Sequence, residues 1–173
     1  MQLTKKDRVF LINQYEILKR LDAENSSSYD ERIQILRDGY EIFYHSVDEW
    51  ISDDMPESES KFVLDVLDMY RTIHDYRTNH PSETETSAHH WSYFRGFDGN
   101  NEGSYLGFTK FLIYKQDKFA EQLGYKDKSD DFNSHAPLMP IYRRMLDTWE
   151  AQGKSFQLTK ESILEILNAA KST

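Results

Sequence analysis

Apolar side chains recur at helical spacing along most of this 173-residue chain, and that spacing limits the folds it can adopt. The most regular series advances in steps of three and four residues: Ile33, Leu36, Tyr40, Phe43, Val47 and Trp50. A 3.5-residue period sustained for more than two heptads predicts a helix that lies along a partner helix at a shallow angle. The pattern leaves open whether that partner belongs to the same chain or to a second copy.

Helical spacing and capping signals together predict six main helices and one short one. Thr4 and Asp7 form one capping-box pattern, Ser28 and Glu31 form another, and Thr159 is placed to cap the last helix. The predicted helices cover residues 5–21, 28–50, 59–77, 88–93, 101–123, 140–153 and 160–170. The stretch FTKFLIY also fits a strand, but the long run without a breaker favours a helix. The predicted fold class is therefore all-α and multihelical.

A polar segment that begins after a proline marks the predicted division of the chain. Residues 80–95 contain Pro81 and lose the helical pattern, which is typical of a connector. We expect residues 1–79 to form an N-terminal helical portion built on a long helical hairpin. Residues 96–173 are expected to form a C-terminal helical portion, or second helical subdomain.

Composition excludes several classes of function. The formal net charge is −9 and the sequence pI is about 5.1, without a basic stripe, so we expect no nucleic-acid and no membrane partner. The chain contains no cysteine, which excludes disulfides, thiol nucleophiles and Cys-ligated zinc. Charged residues open the sequence and Lys110 interrupts its most apolar stretch, so we expect neither a signal peptide nor a membrane span. These features favour the cytoplasm.

The segment GFDGNNEGSYLG, residues 96–107, holds four of the seven glycines and resembles two kinds of ion-binding loop. Asp98, Asn100 and Glu102 match the first positions of a calcium loop, but Thr109 stands where a bidentate glutamate should close the site. A phosphate loop is disfavoured because Asp98 and Glu102 would occupy the same helix N-terminus and no GK[ST] follows. We therefore predict no metal and no cofactor at this segment.

The spacing of the glycines suggests a packing role instead. Gly99, Gly103 and Gly107 are four residues apart, which on a helix gives a bare face that another backbone can approach closely. The segment is then a hinge between the two helical portions, and Gly107→Leu should destabilise the fold or its assembly.

The remaining polar clusters give weak candidates for chemistry. His80, His89 and His90 share one loop but lack a metal-ligand spacing, so no metal site is predicted there. The stretch DDFNSHAP supplies an acid, a base and a hydroxyl, although residues adjacent in sequence seldom form a catalytic set. A pocket between the two portions could recruit four candidate catalytic residues: Asp98, Glu102, His135 and Arg144.

The order of several sequence blocks resembles the YfbU-like family of bacterial proteins. The blocks are NQYEILKRLD, DGY, LDMYR, GFDGNNEGSYLG, FNSHAPLMPIYRRMLDTW and a terminal helix that opens with LT. GFD with YLG, and YRRML with the following Trp, are the most specific parts. The resemblance covers nearly the whole chain and implies a multihelical, self-associating protein of the bacterial cytoplasm. It implies no reaction and supplies no catalytic residues.

These observations favour an acidic, all-helical homo-oligomer that acts by assembling or by binding protein partners rather than by catalysis. The alternative is a hydrolase that acts on phosphoesters or nucleotides, with a site between the two helical portions. A third possibility is a metal or calcium binder.

Overall fold

The computed structural model describes residues 2–171, apart from the side chain of Asp127. Contacts between Cα atoms divide the chain into two compact units, Met1–Asp54 and Met55–Thr173. Within residues 2–171 the regular elements are helical and no sheet is formed, so the predicted all-α, multihelical fold is confirmed. None of the helices in this part of the chain is both long and apolar enough to cross a bilayer.

The first unit is a helical hairpin followed by short turns. Helix α1 is capped as predicted, since Thr4 Oγ1 accepts a hydrogen bond from the Asp7 backbone N–H at 3.2 Å and the Asp7 carboxylate accepts one from the Thr4 N–H at 2.9 Å. Helices α1 and α2 pack against each other around Tyr15, Ile33 and Leu36. The elements of this unit are α1 (Lys5–Leu21), α2 (Ser26–Asp38), a 3-10 turn (Glu41–Phe43) and α3 (His45–Asp48).

The predicted continuous helix over residues 28–50 is wrong, because α2 ends at Asp38. Gly39 adopts the left-handed conformation with φ 77°, and its N–H bonds to the Ile35 carbonyl, which closes the helix. Of the members of the apolar series beyond this point, Val47 packs against the unit's core, whereas Tyr40, Phe43 and Trp50 are exposed. The predicted capping box at Ser28 is also wrong: the helix begins at Ser26, and its N-cap residue makes no side-chain cap.

The second unit is built around one long helix. Helix α4 packs against α6 and α7, and α7 packs against α8. The last two helices begin as predicted, with Pro140 in the first turn of α7 and with Thr159 Oγ1 accepting a hydrogen bond from the Ser162 N–H at 3.3 Å. The helices of this unit are α4 (Glu57–Asn79), α5 (Glu85–Ala88), α6 (Gly103–Lys110), α7 (Met139–Ala151) and α8 (Lys160–Ala169).

The boundary between the units differs in position from the predicted connector. It falls between Asp54 and Met55, and residues 80–95 lie inside the second unit together with α4. The short helix expected over 88–93 is instead α5, which ends at Ala88. Residues 89–95 are irregular, yet Phe94 is fully buried because its ring enters the core of the unit.

The helix predicted over 101–123 stops early. Helix α6 continues into a π-helical turn, Phe111–Lys115, after which Lys118 N–H bonds to the Leu112 carbonyl at 3.0 Å. Phe119 then takes a left-handed conformation with φ 57° and buries its ring beneath the Arg71 guanidinium, whose carbon lies 4.1 Å from the ring centre. A 3-10 segment, Ala120–Lys128, follows. The strand interpretation of FTKFLIY is also wrong, since all seven residues are helical.

A buried aromatic cluster joins the irregular segments to the helices. The Tyr142 ring centre on α7 lies 5.5 Å from that of Phe97 and 5.8 Å from that of Tyr70 on α4. The Tyr142 hydroxyl accepts a hydrogen bond from the Arg95 backbone N–H at 3.3 Å and donates one to the Gly96 carbonyl at 3.0 Å. Burial raises the pKa of Tyr142 well above its usual value, so this hydroxyl stays protonated.

The close backbone approach expected at Gly107 occurs at Gly96 instead. A Cβ on Gly103 or Gly107 would meet no atom within 4 Å, so the predicted packing of another backbone on that glycine face is wrong for the described residues. A Cβ on Gly96 would lie 1.7 Å from the Phe132 carbonyl oxygen, and Gly96 has φ 78°.

We predict opposite effects from alanine at these two glycines. Gly96→Ala should lower the free energy of unfolding by about 3 kcal/mol or more, because it combines a left-handed conformation with a backbone clash. Gly107→Ala, inside α6 and facing open space, should raise it by about 0.5–1 kcal/mol through helix propensity. Urea unfolding followed by circular dichroism measures both, and equal effects would contradict this assignment.

Candidate functional site

The two carboxylates of the glycine-rich segment are buried and serve the backbone. Glu102 Oε2 accepts a hydrogen bond from the Asp98 N–H at 3.0 Å, and Glu102 Oε1 accepts one from the Met139 N–H at 2.8 Å. Asp98 accepts hydrogen bonds from the Asn101 side chain and from the Asn100 N–H. The hydrogen bond from the Asn101 side chain is the largest cause that lowers the pKa of Asp98, and the hydrogen bond from the Asn100 N–H is the next largest. Four of the oxygens that a calcium ion would need therefore already accept hydrogen bonds from protein N–H groups.

The segment is also clamped to the loop before α7. Phe97 N–H bonds to the Phe132 carbonyl at 3.0 Å, and Ser134 N–H bonds to the Phe97 carbonyl at 3.1 Å. Asn133 Oδ1 accepts a hydrogen bond from the Gly99 N–H at 3.0 Å. We call this contact between residues 96–99 and 132–134 the backbone clasp, and it gives both segments a structural role.

The other two candidate catalytic residues have partners of their own, although the charge of His135 is near enough to add to the lowering of the pKa of Asp98. His135 is exposed, and its Nε2 lies 2.9 Å from Asp130 Oδ2 on the same loop. Arg144 donates from Nε to the Ala169 carbonyl at 3.1 Å and from Nη2 to the Ala170 carbonyl at 2.8 Å, so it caps the end of α8. The structure thus joins Asp98 to Glu102 and gives Arg144 a set of backbone partners. Whether the four residues act together on a substrate stays a hypothesis.

The loop histidines have individual partners. His80 Nδ1 lies 2.9 Å from the Tyr76 carbonyl oxygen, and burial lowers the pKa of both His89 and His90. In the described part of the chain, no three His, Asp or Glu side chains are placed to share a metal ion.

The first unit leaves many of its large apolar side chains in solvent. Within residues 2–171, ten of the fourteen large apolar side chains that are exposed belong to this unit. Its own buried core consists of four residues, namely Tyr15, Ile33, Leu36 and Tyr44. Phe10 is 64% exposed and Trp50 is 74% exposed, although rings of this size are normally buried in a folded protein.

Several of these side chains line one concavity, which we call the apolar groove. It has a volume of about 690 Å³ and lies between one face of α1 and the turn that includes α3. Its apolar lining comprises Leu3, Phe10, Leu11, Tyr15, Leu18, Val47, Trp50 and Ile51. Lys6, Asp7 and Asp48 add charges of both signs to it. Such an apolar surface with polar edges is typical of a protein–protein contact.

Sequence periodicity located these residues without revealing their exposure. Phe10 and Leu18 fall on the apolar stripe of α1, and Trp50 ends the heptad-like series, but the spacing alone does not indicate how exposed each side chain is. The structure buries Tyr15 from the same stripe and leaves Phe10, Leu18 and Trp50 exposed. The heptad-like spacing predicts a partner for these residues without identifying it. An apolar series with no identified partner is the sequence signal that could have indicated the groove.

Known proteins match this chain over almost its full length. The family model of the YfbU domain matches residues 1–169. A UPF0304 protein of Methanocaldococcus jannaschii is 48% identical over 169 residues, which cover 96% of this chain and 99% of that protein. The clasp and the groove therefore both lie within the matched region.

We predict that Glu102 is a structural residue. Glu102→Gln should lower the free energy of unfolding by about 1–3 kcal/mol, because an amide can accept at only one of the two positions that now receive backbone N–H groups. Glu57→Gln, at the exposed first residue of α4, is the control and should lower it by less than about 1 kcal/mol, because it loses only a favourable interaction with the helix N-terminus. A Glu102→Gln protein as stable as the control would show that the carboxylate does not hold the segment in place.

Proposed function

The chain belongs to the YfbU domain family, as its sequence blocks predicted, and we propose that it works by self-association, with two copies pairing through their apolar grooves. The observation that carries this proposal is the exposure of Phe10 and Trp50 beside a groove in a unit with a very small core.

The size of the first unit favours a partner. It ends at Asp54 and has four buried apolar residues, whereas domains of this length rarely gain enough stability from their own core. Covering the exposed part of Phe10 and Trp50 would remove on the order of 300 Å² from water in each copy. For two copies this is worth on the order of 15 kcal/mol of transfer free energy, which is at the upper end of the cost of association.

The charges in the groove favour a second copy as the occupant. Lys6 lies in the same lining as Asp7 and Asp48, so two grooves related by a two-fold axis can oppose unlike charges. The chain as a whole carries a formal net charge of −9, so two copies repel each other at long range. Pairing must therefore come from short-range apolar contact.

We further propose that this assembly acts in the cytoplasm. The absence of cysteine and the family resemblance support that compartment. Another protein with an apolar surface is the rival occupant of the groove.

We predict that glutamates introduced in place of the apolar rings of the groove weaken self-association. The natural chain should sediment with a weight-average mass that rises toward that of a dimer as its concentration increases. The double variant Phe10→Glu/Trp50→Glu should weaken pairing by at least about a hundredfold, since it buries carboxylates in place of rings. Analytical ultracentrifugation measures both, and circular dichroism verifies that the variant remains helical.

Leu123→Glu is the matched control, because Leu123 is an exposed apolar residue of the second unit. It should leave the association constant unchanged. A natural chain that stays monomeric at every concentration would overturn the proposal, and so would equal weakening by the control.

A further inference from the structure

A small cavity in the second unit has a charge opposite to that of the chain as a whole. Its volume is about 200 Å³, and its lining includes Arg95 and Lys128 but no acidic side chain. The chain carries a formal charge of −9, so two positive charges facing one cavity reverse the local sign. Neither cation forms an ion pair with an acidic side chain that the structure describes.

Arg95 is held in place with part of its guanidinium still available. Its Nη2 donates to the His90 carbonyl at 2.9 Å, and its Nε lies 3.3 Å from the same oxygen. The guanidinium carbon lies 5.5 Å from the ring centre of Trp91, which also lines the cavity. The Nη1 hydrogens have no acceptor within the described residues, so a fixed donor pair remains for a ligand.

Lys128 supplies a second positive charge at the end of the 3-10 segment. Its Nζ lies 3.7 Å from the ring centre of Tyr93, a cation–π contact that positions the ammonium group without neutralising its charge. Arg95 and Lys128, which belong to different segments, can therefore both contact an anion in the cavity.

Ser129 adds a buried hydroxyl that lacks a partner. The residue is 8% exposed, and its Oγ makes no hydrogen bond to any described residue. Buried hydroxyl groups are normally hydrogen-bonded, so Ser129 Oγ has hydrogen-bonding capacity left for a ligand oxygen. Because Ser129 lines the cavity, an oxygen atom bound there would satisfy it.

The neutral form of His90 offers one more donor. Its Nδ1 lies 3.3 Å from Arg95 Nη2, and because arginine only donates, Nδ1 must act as the acceptor. The ring proton then sits on Nε2. Burial and then the charge of Arg95 lower the pKa of His90, so a nearby anion should raise it again.

We propose that this cavity binds the phosphate group of a small phosphate monoester. Arg95, Lys128, Ser129 and His90 together offer more donors than a carboxylate has oxygens, whereas a phosphate group has three terminal oxygens to share among them. A volume of about 200 Å³ is below that of sites for drug-sized ligands, so the cavity accommodates the phosphate and little else. Trp91 provides a flat apolar wall for the group that carries the phosphate.

This proposal is independent of self-association, because none of its residues lies in the apolar groove. Its test titrates the full chain, in a phosphate-free buffer of fixed ionic strength, with inorganic phosphate, phenyl phosphate, acetate and a phosphoserine peptide. Calorimetry measures affinity, and the ring proton shifts of His90 report where the anion binds. We expect phosphate and phenyl phosphate to saturate one site and acetate to bind at least about tenfold more weakly.

Two variants identify the site. Lys128→Gln should weaken phosphate binding by about tenfold and Ser129→Ala by about fivefold, through loss of a charged and a neutral hydrogen bond. Lys126→Gln is the matched control, because Lys126 is an exposed lysine nearby that does not line the cavity, and it should have almost no effect. Arg95 is left intact because it also holds the His90 carbonyl.

The proposal is overturned by any of four results. These are shifts that remain linear in phosphate concentration, equal weakening by the Lys126 and Lys128 variants, acetate binding as tightly as phosphate, and binding of the phosphoserine peptide alone. The last result would assign the cavity to a phosphorylated protein instead of a small molecule.

Discussion

The backbone clasp between residues 96–99 and 132–134 is the contact on which the second unit depends. These segments contain no regular element, yet they carry the fully buried rings of Phe97 and Phe132 into the space between α4 and α7, beside the buried ring of Phe94 just before the first segment. The clasp allows this because its N–H and carbonyl groups find partners in each other and in the Glu102 carboxylate. Gly96 is needed where the two backbones approach most closely. The glycine-rich segment is thus a structural joint whose acids stabilise the backbone.

How far the sequence predicts this structure depends on whether a feature is local. The cap of α1 at Thr4 and that of α8 at Thr159 were predicted correctly, since each is a contact between residues three apart. The end of α2 was missed because the apolar period runs on past Gly39, and the period alone cannot reveal a left-handed residue. The end of the α6 helix was missed for a related reason. Phe119 takes a left-handed conformation with its ring buried beneath Arg71, and this contact between residues far apart in the chain is invisible to the helical period.

The functional features depend even more on distant contacts. Asp98 and Glu102 were recognised as notable acids, but the role of Glu102 depends on Met139, which lies thirty-seven residues beyond it. The small cavity of the second unit joins Arg95, on an irregular segment, to Lys128 and Ser129 at the end of the 3-10 segment, and no spacing in the sequence indicates it. The apolar groove was partly predictable, since its residues follow the helical period. Exposure is the property that a one-dimensional pattern does not contain.

The two units divide the proposed activities between them. The first exposes rings that its small core leaves uncovered, which favours assembly. The second is well packed and holds the one cavity in which we propose that a phosphate group binds. An acidic surface is compatible with both, because short-range contacts in a groove or cavity outweigh a screened long-range field.

The central claim, that copies pair through the apolar groove, is tested most directly by a distance measurement between two chains. The chain has no cysteine, so Asn13→Cys on the exposed surface of α1 provides a single position for a spin label. Any dipolar coupling between labels in pulsed electron resonance must then arise from a second copy. We predict a defined distance that disappears in the Phe10→Glu/Trp50→Glu variant. A signal that shows only the uniform background of separate molecules, at concentrations high enough for pairing, would contradict the account.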